Sequence, residues 1–405
     1  MHPLELLVPA GNLEKLRTAF LYGADAVYIG AEGLSLRAGQ AEFGPEEIKT
    51  GVDEAHRLGK RVYTAVNIFA QNRDLALVAE QLGLLASIGC DGVIVSDPGV
   101  IRIAQRVAPD LPLHLSTQAN TTNVESVRFW RDQGVKRIIP ARELSIAEIA
   151  AIAAAVPEIE LELFVHGAMC LAYSGRCLLS AYRTGRSSNR GDCTHPCRWE
   201  HLLVESTRPY DPLVLEEDNR YSYILSSKDL CLMDRLPEML GAGVKSCKIE
   251  GRMKSVYYIA VVTRTYRWAL ETLFKDPATY QTRPEWFAEL SKISNRGYTH
   301  GFFDGVPENN MQNPEVKYFQ SHDLAGTVLS YEREGRVLVG VRNRITREDS
   351  LELLLPETTI RLDSKQMVDE HGLPLDQAHN GYRVYLPVSE PVPAGTVIRK
   401  QLLES

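Results

Sequence analysis

The sequence predicts an α/β fold: a (β/α)8, TIM-like barrel with a cysteine-rich insertion, followed by a small C-terminal β-barrel domain. Three observations carry this. Eight short apolar runs alternate with helix-like segments between Leu4 and Gly251, and eight β/α units over about 250 residues are what a closed parallel barrel needs. Four of the chain's seven cysteines crowd into the loop after the seventh run. Past residue 320, helical spacing gives way to apolar–polar alternation. The expected boundaries are residues 1–300 for the barrel, 301–319 for a linker and 320–405 for the β-domain. An open doubly wound sheet is the alternative for the first part, because one strand more or fewer changes the closure.

In chain order, the candidate strands are residues 4–8, 26–30, 61–67, 92–97, 112–117, 137–141, 161–166 and 246–250. Most are apolar nearly throughout, as parallel strands covered on both faces are. Amphipathic helices are expected over 12–21, 45–58, 75–87, 123–133 and 145–155. The last opens on Ser145 with Glu148 three residues on, the spacing of a capping box. A further run, 221–226, leads into Ser227-Lys228-Asp229-Leu230-Cys231 and a helix ending near Gly241. Ser226 or Ser227 reads as its N-cap, which puts Cys231 in the first helical turn, where the helix dipole favours a thiolate. A long helix follows over 255–274, with Ile259, Val262, Tyr266, Ala269 and Leu273 as its core face. After a connection rich in Pro and Asn, residues 326–333, 336–342, 350–355, 358–363, 382–387 and 395–399 alternate as antiparallel strands do. That last part has no cysteine and no catalytic constellation, so docking of a partner is its expected task.

The barrel reading has a functional consequence, because such barrels do chemistry at the C-terminal ends of their strands. His166, Gly167 and Cys170 directly follow the seventh run, and Asn67, Asp97, Gln118, Arg142, Glu250 and Arg252 fall at equivalent ends of others. Any one of them can equally cap a helix or satisfy a loop carbonyl. The cysteines are the strongest chemical signal. Cys170, Cys177, Cys193 and Cys197 form a C-x6-C-x15-C-x3-C array. Thiolates are soft ligands, and long unequal spacings suit an iron–sulfur cluster better than the tight knuckles of zinc, the second fit. Cys231 competes with Cys197 for the fourth ligand position. Cys90 and Cys247 lie in apolar strand-like segments and read as core.

Charge and composition narrow the remaining possibilities. A net charge of −7 argues against a generally basic nucleic-acid binder. Yet residues 242–270 hold six Lys or Arg and one acidic residue, and the cysteine loop adds Arg183, Arg186, Arg190 and Arg198 with Tyr182 and Trp199 nearby. Cations interleaved with aromatics suit a phosphate backbone and stackable bases. No apolar run approaches the length of a membrane span and no leader pattern opens the chain, so the expected location is cytoplasmic, where clustered cysteines more often hold metal than disulfides. The zinc-protease H-E-x-x-H, the G-x-S-x-G elbow and a Walker loop are all missing, as is the C-x3-C-x2-C spacing of adenosyl-radical enzymes.

Several blocks resemble a known family. VPAGNLEKLRTAFLYGADAVYIG, HGAMCLAYSGRCLLSAY, NRGDC with PCRW, SSKDLC and KIEGRMKS are similar to the motif blocks of the family long catalogued as the collagenase-like peptidases, U32. The terminal β-domain and KIEGRMKS look most like the members that hydroxylate tRNA. The resemblance implies a prephenate-dependent enzyme making 5-hydroxyuridine at the wobble position of the anticodon loop, with a 4Fe–4S cluster. Sister members hydroxylate a ribosomal RNA cytidine or the ubiquinone ring. Carried over residue by residue, the resemblance selects Cys170, Cys177, Cys193 and Cys231 as ligands, with Cys197 as a neighbour. Arg142, Lys228 and Arg252 are candidates for the dicarboxylate, His166 and Glu250 for further catalytic roles, and Arg183, Arg186, Arg198, Trp199 and Lys254 for RNA. A peptidase, as the family label says, and an RNA-binding scaffold with a structural cluster are the competing readings.

Overall fold

The computed structural model describes residues 3–35, 43–169, 179–184, 186, 194, 196, 227–305, 318–332 and 335–402. In the first part β1 (Glu5–Pro9), α1 (Leu13–Leu21), β2 (Ala26–Gly30), α2 (Pro45–Arg57), β3 (Arg61–Val66) and α3 (Leu75–Ile88) are followed by β4 (Gly92–Val95), α4 (Pro98–Val107), β5 (Leu113–Leu115) and α5 (Val124–Asp132). Then come β6 (Arg137–Ile138), α6 (Ile146–Ala155), β7 (Glu160–Ala168), α7 (Leu179–Thr184), β8 (Asp229–Cys231), α8 (Leu236–Gly241) and β9 (Ser246–Ile249). Strands β1 to β7 pair in sequence, and β9 closes the cylinder by pairing in parallel with both β1 (Leu6 opposite Cys247) and β7 (Leu163 opposite Cys247). All eight expected strands are present and the barrel is closed, which removes its edges. Ser145 and Glu148 form the reciprocal box their spacing predicts, and the structure adds an Asn12 cap, whose side chain accepts from Lys15 N. Helix α4, capped by Asp97, is one the amphipathic pattern had not marked.

Two departures from expectation matter for function. Cys231 is not in a helical turn. Strand β7 runs beyond the barrel layer, and β8 fills the edge it exposes, antiparallel, with His166 opposite Cys231 and Ala168 opposite Asp229. A buried Arg296–Asp229 pair at 2.7 Å and strand β10 (Tyr298–Thr299) hold β8 from its other side. Helix α8 begins only at Leu236, so a helix dipole does not act on the Cys231 thiol.

The second departure is inside the barrel, where the runs are not apolar throughout. Arg137 Nη1 lies 2.6 Å from Glu5 and 3.2 Å from Glu162, Lys248 Nζ donates to Glu162 at 2.7 Å, and the hydroxyls of Tyr63 and Ser246 donate to Glu5. Buried charge is tolerated only when paired and hydrogen-bonded, and here the four charged groups, Glu5, Arg137, Glu162 and Lys248, come from four different strands. Burial alone would raise the Glu162 carboxyl, but Lys248 and Arg137 override it and hold it below the ordinary range. His114, in the same layer, is pushed down to about 3 by burial and by Arg137, so it is neutral.

The 20-residue α9 (Val256–Lys275) packs across the barrel with Ile259, Val262, Tyr266, Ala269 and Leu273 all buried, as its spacing predicts. With α10 (Pro284–Ser291) it also receives the C-terminal domain. There β11 (His322–Glu332), β12 (Arg336–Val341), β13 (Ile345–Thr346), β14 (Leu351–Leu354), β15 (Thr359–Leu362), β16 (Gln377–Ala378), β17 (Arg383–Pro387) and β18 (Val397–Gln401) form a half-barrel. Its six-stranded antiparallel sheet runs β15-β14-β18-β11-β12-β17, beside a β13–β16 ribbon. The half-barrel has its own core, but Leu354 and Val397 join that of the first domain. The Tyr22 hydroxyl donates to Leu354 O at 2.6 Å, Trp268 Nε1 to Pro356 O at 2.8 Å, and Glu289 of α10 lies between Arg264 of α9 and Arg399 of β18. Among the described residues no helix is long and apolar enough to cross a membrane.

Candidate functional site at the barrel mouth

The floor of the mouth is two rings, Tyr28 from β2 and Phe164 from β7. Lys248 Nζ stands 4.3 Å from the Tyr28 ring centre and 5.5 Å from that of Phe164. The Arg142 guanidinium stacks on Phe164 at 3.9 Å, and its Nη1 donates to Ala168 O at 3.0 Å. From the other ring, the Tyr28 hydroxyl donates to Ile249 O at 3.0 Å and lies 3.5 Å from Glu250 Oε2. Arg142 and Glu250, singled out from the sequence, therefore share one floor with Lys248, Tyr28 and Phe164, which were not. The available signal was period-two: Glu160, Glu162 and Lys248 sit at alternate positions of otherwise apolar strands.

Arg252 reaches this floor across the end of β2. It is buried, and a Cβ built on Gly30 would lie 2.3 Å from its Nη1 and 2.6 Å from Ser35 Oγ. Only glycine lets the guanidinium lie on the backbone there. Arg252 Nη1 is the far end of a flexible side chain, whereas Ser35 is buried with its Oγ one bond from Cβ, so Gly30→Ala should displace Arg252 and lower the melting temperature measurably without unfolding the protein. Its loss of substrate affinity should then match that of Arg252→Ala. Thermal melts beside binding titrations of both variants check this, and wild-type affinity in Gly30→Ala would count against a role for Arg252 in that position.

Other expected residues are separated from the floor. His166 turns outward, its ring 5.5 Å from Tyr266, 6.1 Å from Tyr258 and 5.4 Å from Tyr298. Burial pushes it down to about 3, so it stays neutral. Gly167, next to it, has φ 109° and would place a Cβ 2.4 Å from Glu250 O, so β7 and the β9–α9 turn touch backbone to backbone there. Lys228 lies along Gly297 on the β8–β10 ribbon that flanks β7. Asp97 accepts from Val100 N at 3.0 Å as a helix cap, while Asn67 donates to Gln118 at 2.7 Å in a row of amides and hydroxyls at the strand ends.

The basic run from 242 to 270 is mostly structural. Lys248, Arg264 and Arg267 are paired internally with Glu162, Glu289 and Asp25, and Lys245 precedes β9 at the opposite end of the barrel. Besides the paired Lys248 on the floor, the run brings Arg252 and Lys254 to the mouth, Lys254 with its Nζ 5.3 Å from the Tyr258 ring centre. Arg183 and Arg186 are exposed. Cys170, Cys177, Cys193, Cys197, Arg198 and Trp199 lie outside the described residues.

Cys231 is described. Its side chain is buried with Sγ 3.7 Å from the Tyr266 hydroxyl, and burial pushes the thiol up to about 11. Cys90 and Cys247 are buried core cysteines. Among the described residues no three or more His, Cys, Asp or Glu are grouped to hold a metal ion.

Comparison with known proteins adds the decisive observation. The model of peptidase family U32 matches residues 11–313, and that of the family's C-terminal domain matches 320–399. The chain belongs to peptidase family U32. Within the family it is 40% identical to "tRNA hydroxylation protein P1" of Bacillus subtilis (strain 168), over 94% of this chain and 90% of that one. It is 37% identical to "tRNA hydroxylation protein P" of Escherichia coli (strain K12), over 95% and 94%. The "23S rRNA 5-hydroxycytidine C2501 synthase" of Escherichia coli is 35% identical over 78% of this chain and 45% of its own length.

Proposed function

We propose that this U32 protein is a cytoplasmic tRNA hydroxylase that carries a 4Fe–4S cluster on Cys170, Cys177, Cys193 and Cys231. It uses prephenate to hydroxylate the wobble uridine at C5. The observation that carries the reading is the likeness to the tRNA hydroxylation proteins over almost the whole of both chains, barrel and terminal domain together. Cys231 fits the role in its chemistry and place: a soft donor in a dry site, on a strand laddered to β7, whose end leads into Cys170. The other ligands would come from the loop that follows β7. When bound, such a cluster supplies electron transfer. The chain's own residues do the rest. Arg142 and Arg252 offer fixed guanidinium groups to a dicarboxylate on the ring floor, with Lys228 on the flanking ribbon. Glu250 is the carboxylate at the floor able to accept the proton that leaves C5.

For the anticodon loop, Arg183, Arg186 and Lys254, with Arg198 and Trp199, supply phosphate contacts and a stacking ring. The terminal half-barrel serves as a docking surface beside them. The peptidase label finds no support in the Cys231–His166 juxtaposition. That thiol is buried and pushed up, whereas a nucleophilic cysteine is exposed and pushed down.

Deleting the gene and analysing the nucleosides of bulk tRNA tests the activity. Derivatives of 5-hydroxyuridine should disappear, return with the wild-type chain and stay absent with Cys177→Ser. Undiminished modification, in a strain without a second route to it, would sink the proposal.

A further inference from the structure

Resting on Cys231 as a cluster ligand, we propose that the Tyr266 hydroxyl is a built-in hydrogen-bond donor to the Cys231 sulfur that holds the cluster's reduction potential up. Helix α9 places Tyr266 behind the β7–β8 ladder, fully buried, with its oxygen 3.7 Å from Cys231 Sγ. In the structure described here that hydroxyl donates to Val165 O at 2.8 Å. The same carbonyl also accepts from Leu232 N at 2.9 Å, so it keeps a donor if the hydroxyl turns away.

The two states of the sulfur differ in what they ask of the hydroxyl. A free thiol carries its own proton and can give it to the tyrosine oxygen. A ligating thiolate carries none and only accepts. The hydroxyl proton then has two partners to choose between: a carbonyl already satisfied by Leu232, and an anionic sulfur, to which hydrogen bonds are roughly twice as strong as neutral ones. Turning is a rotation about one C–O bond, and the sulfur already lies 3.7 Å from the oxygen. His166 Nδ1 lies 3.5 Å from the same oxygen, and in the tautomer with hydrogen on Nδ1 it supplies that oxygen with a donor and leaves the phenol proton for sulfur. Hydrogen bonds to cluster sulfurs favour the reduced form and raise the potential. Tyr266 acts through Cys231 and is a positioning residue.

The test uses the full chain, purified without oxygen, as wild type, Tyr266→Phe and Cys231→Ser, read by iron per chain and by redox titration of the visible absorption. The expected result is that Cys231→Ser loses iron, while Tyr266→Phe keeps it with its midpoint shifted to more negative potential. A wild-type midpoint in Tyr266→Phe would overturn the donor role and leave the ligand assignment standing. Full iron in Cys231→Ser would overturn the assignment and the donor role with it. Should Tyr266→Phe itself lose iron, a ring-fluorinated tyrosine at 266, a stronger donor of the same shape, decides the matter. A midpoint moved to more positive potential upholds the proposal, and an unmoved one overturns it.

Discussion

Glu289→Gln should destabilise the protein by about 3–5 kcal/mol, the cost of removing one partner from a buried ion pair. Glu289 lies between Arg264 and Arg399, both of whose side chains are 1% exposed. The variant would leave two buried guanidinium groups facing each other across a neutral amide. Arg264 would keep its bonds to the carbonyls of Leu355 and Thr358, and Arg399 its pair with Glu352, so the loss should weaken the junction without abolishing it. Acid should have the same effect on wild type. Burial pushes the Glu289 carboxyl up, but the hydrogen bond from Arg399 and the charges of Arg264, Arg399 and Lys292 outweigh it and hold it at about 2, against an ordinary 4.5. A depressed carboxyl contributes stability that is complete above the unfolded value and is lost as pH falls through the folded one. Denaturation midpoints for both proteins between pH 6 and pH 2, roughly the window these values define, should therefore converge as the medium becomes acidic. A constant gap would show that the carboxylate's charge is not what holds the domains.

The same junction changes what truncation can reveal. A chain ending at Gln320 would strip partners from Tyr22, Arg264 and Trp268 and uncover the face of α9 that packs on Leu354 and Val397. Such a chain should aggregate, so loss of tRNA binding there would say nothing about docking. Charge reversal at exposed positions of the half-barrel in the full chain is the informative experiment.

Cys231→Ser should lose the brown iron–sulfur absorption and all hydroxylation, while Cys197→Ser keeps most of both. Serine offers a hard oxygen where a soft thiolate is needed, and position 231 is itself buried, which keeps an outside ligand from taking the thiolate's place. The fold should survive, since Cys231 and serine differ by one atom and the β8 ladder is made by the backbone. Iron analysis and circular dichroism on the same preparation separate loss of cluster from loss of fold. The reverse pattern, iron lost from Cys197→Ser and kept in Cys231→Ser, would assign the compact C-x3-C pair instead.

What the sequence determined by itself is what short-range periodicity encodes. Eight apolar runs spaced by amphipathic helices, the capping box of Ser145 and Glu148, and the alternation beyond residue 320 all appear in the structure where the pattern put them. Arg142 and Glu250 were singled out because barrels do chemistry at strand ends, and the structure brings both to the ring floor. The tertiary structure alone decided the rest, through contacts between residues far apart in the chain. Cys231 follows a good capping serine, yet the edge left open by β7 draws its segment into a strand, because inter-strand hydrogen bonds outweigh a local cap. Lys248, Arg264 and Arg267 look like one basic run, and nothing local reveals that Glu162, Glu289 and Asp25 wait for them 86, 25 and 242 residues away. Tyr266 reads as a core residue and is one. Its hydroxyl gains a role only because the β7–β8 ladder brings a sulfur to it, and a partner 35 residues distant is invisible to any pattern with a period of two or 3.6.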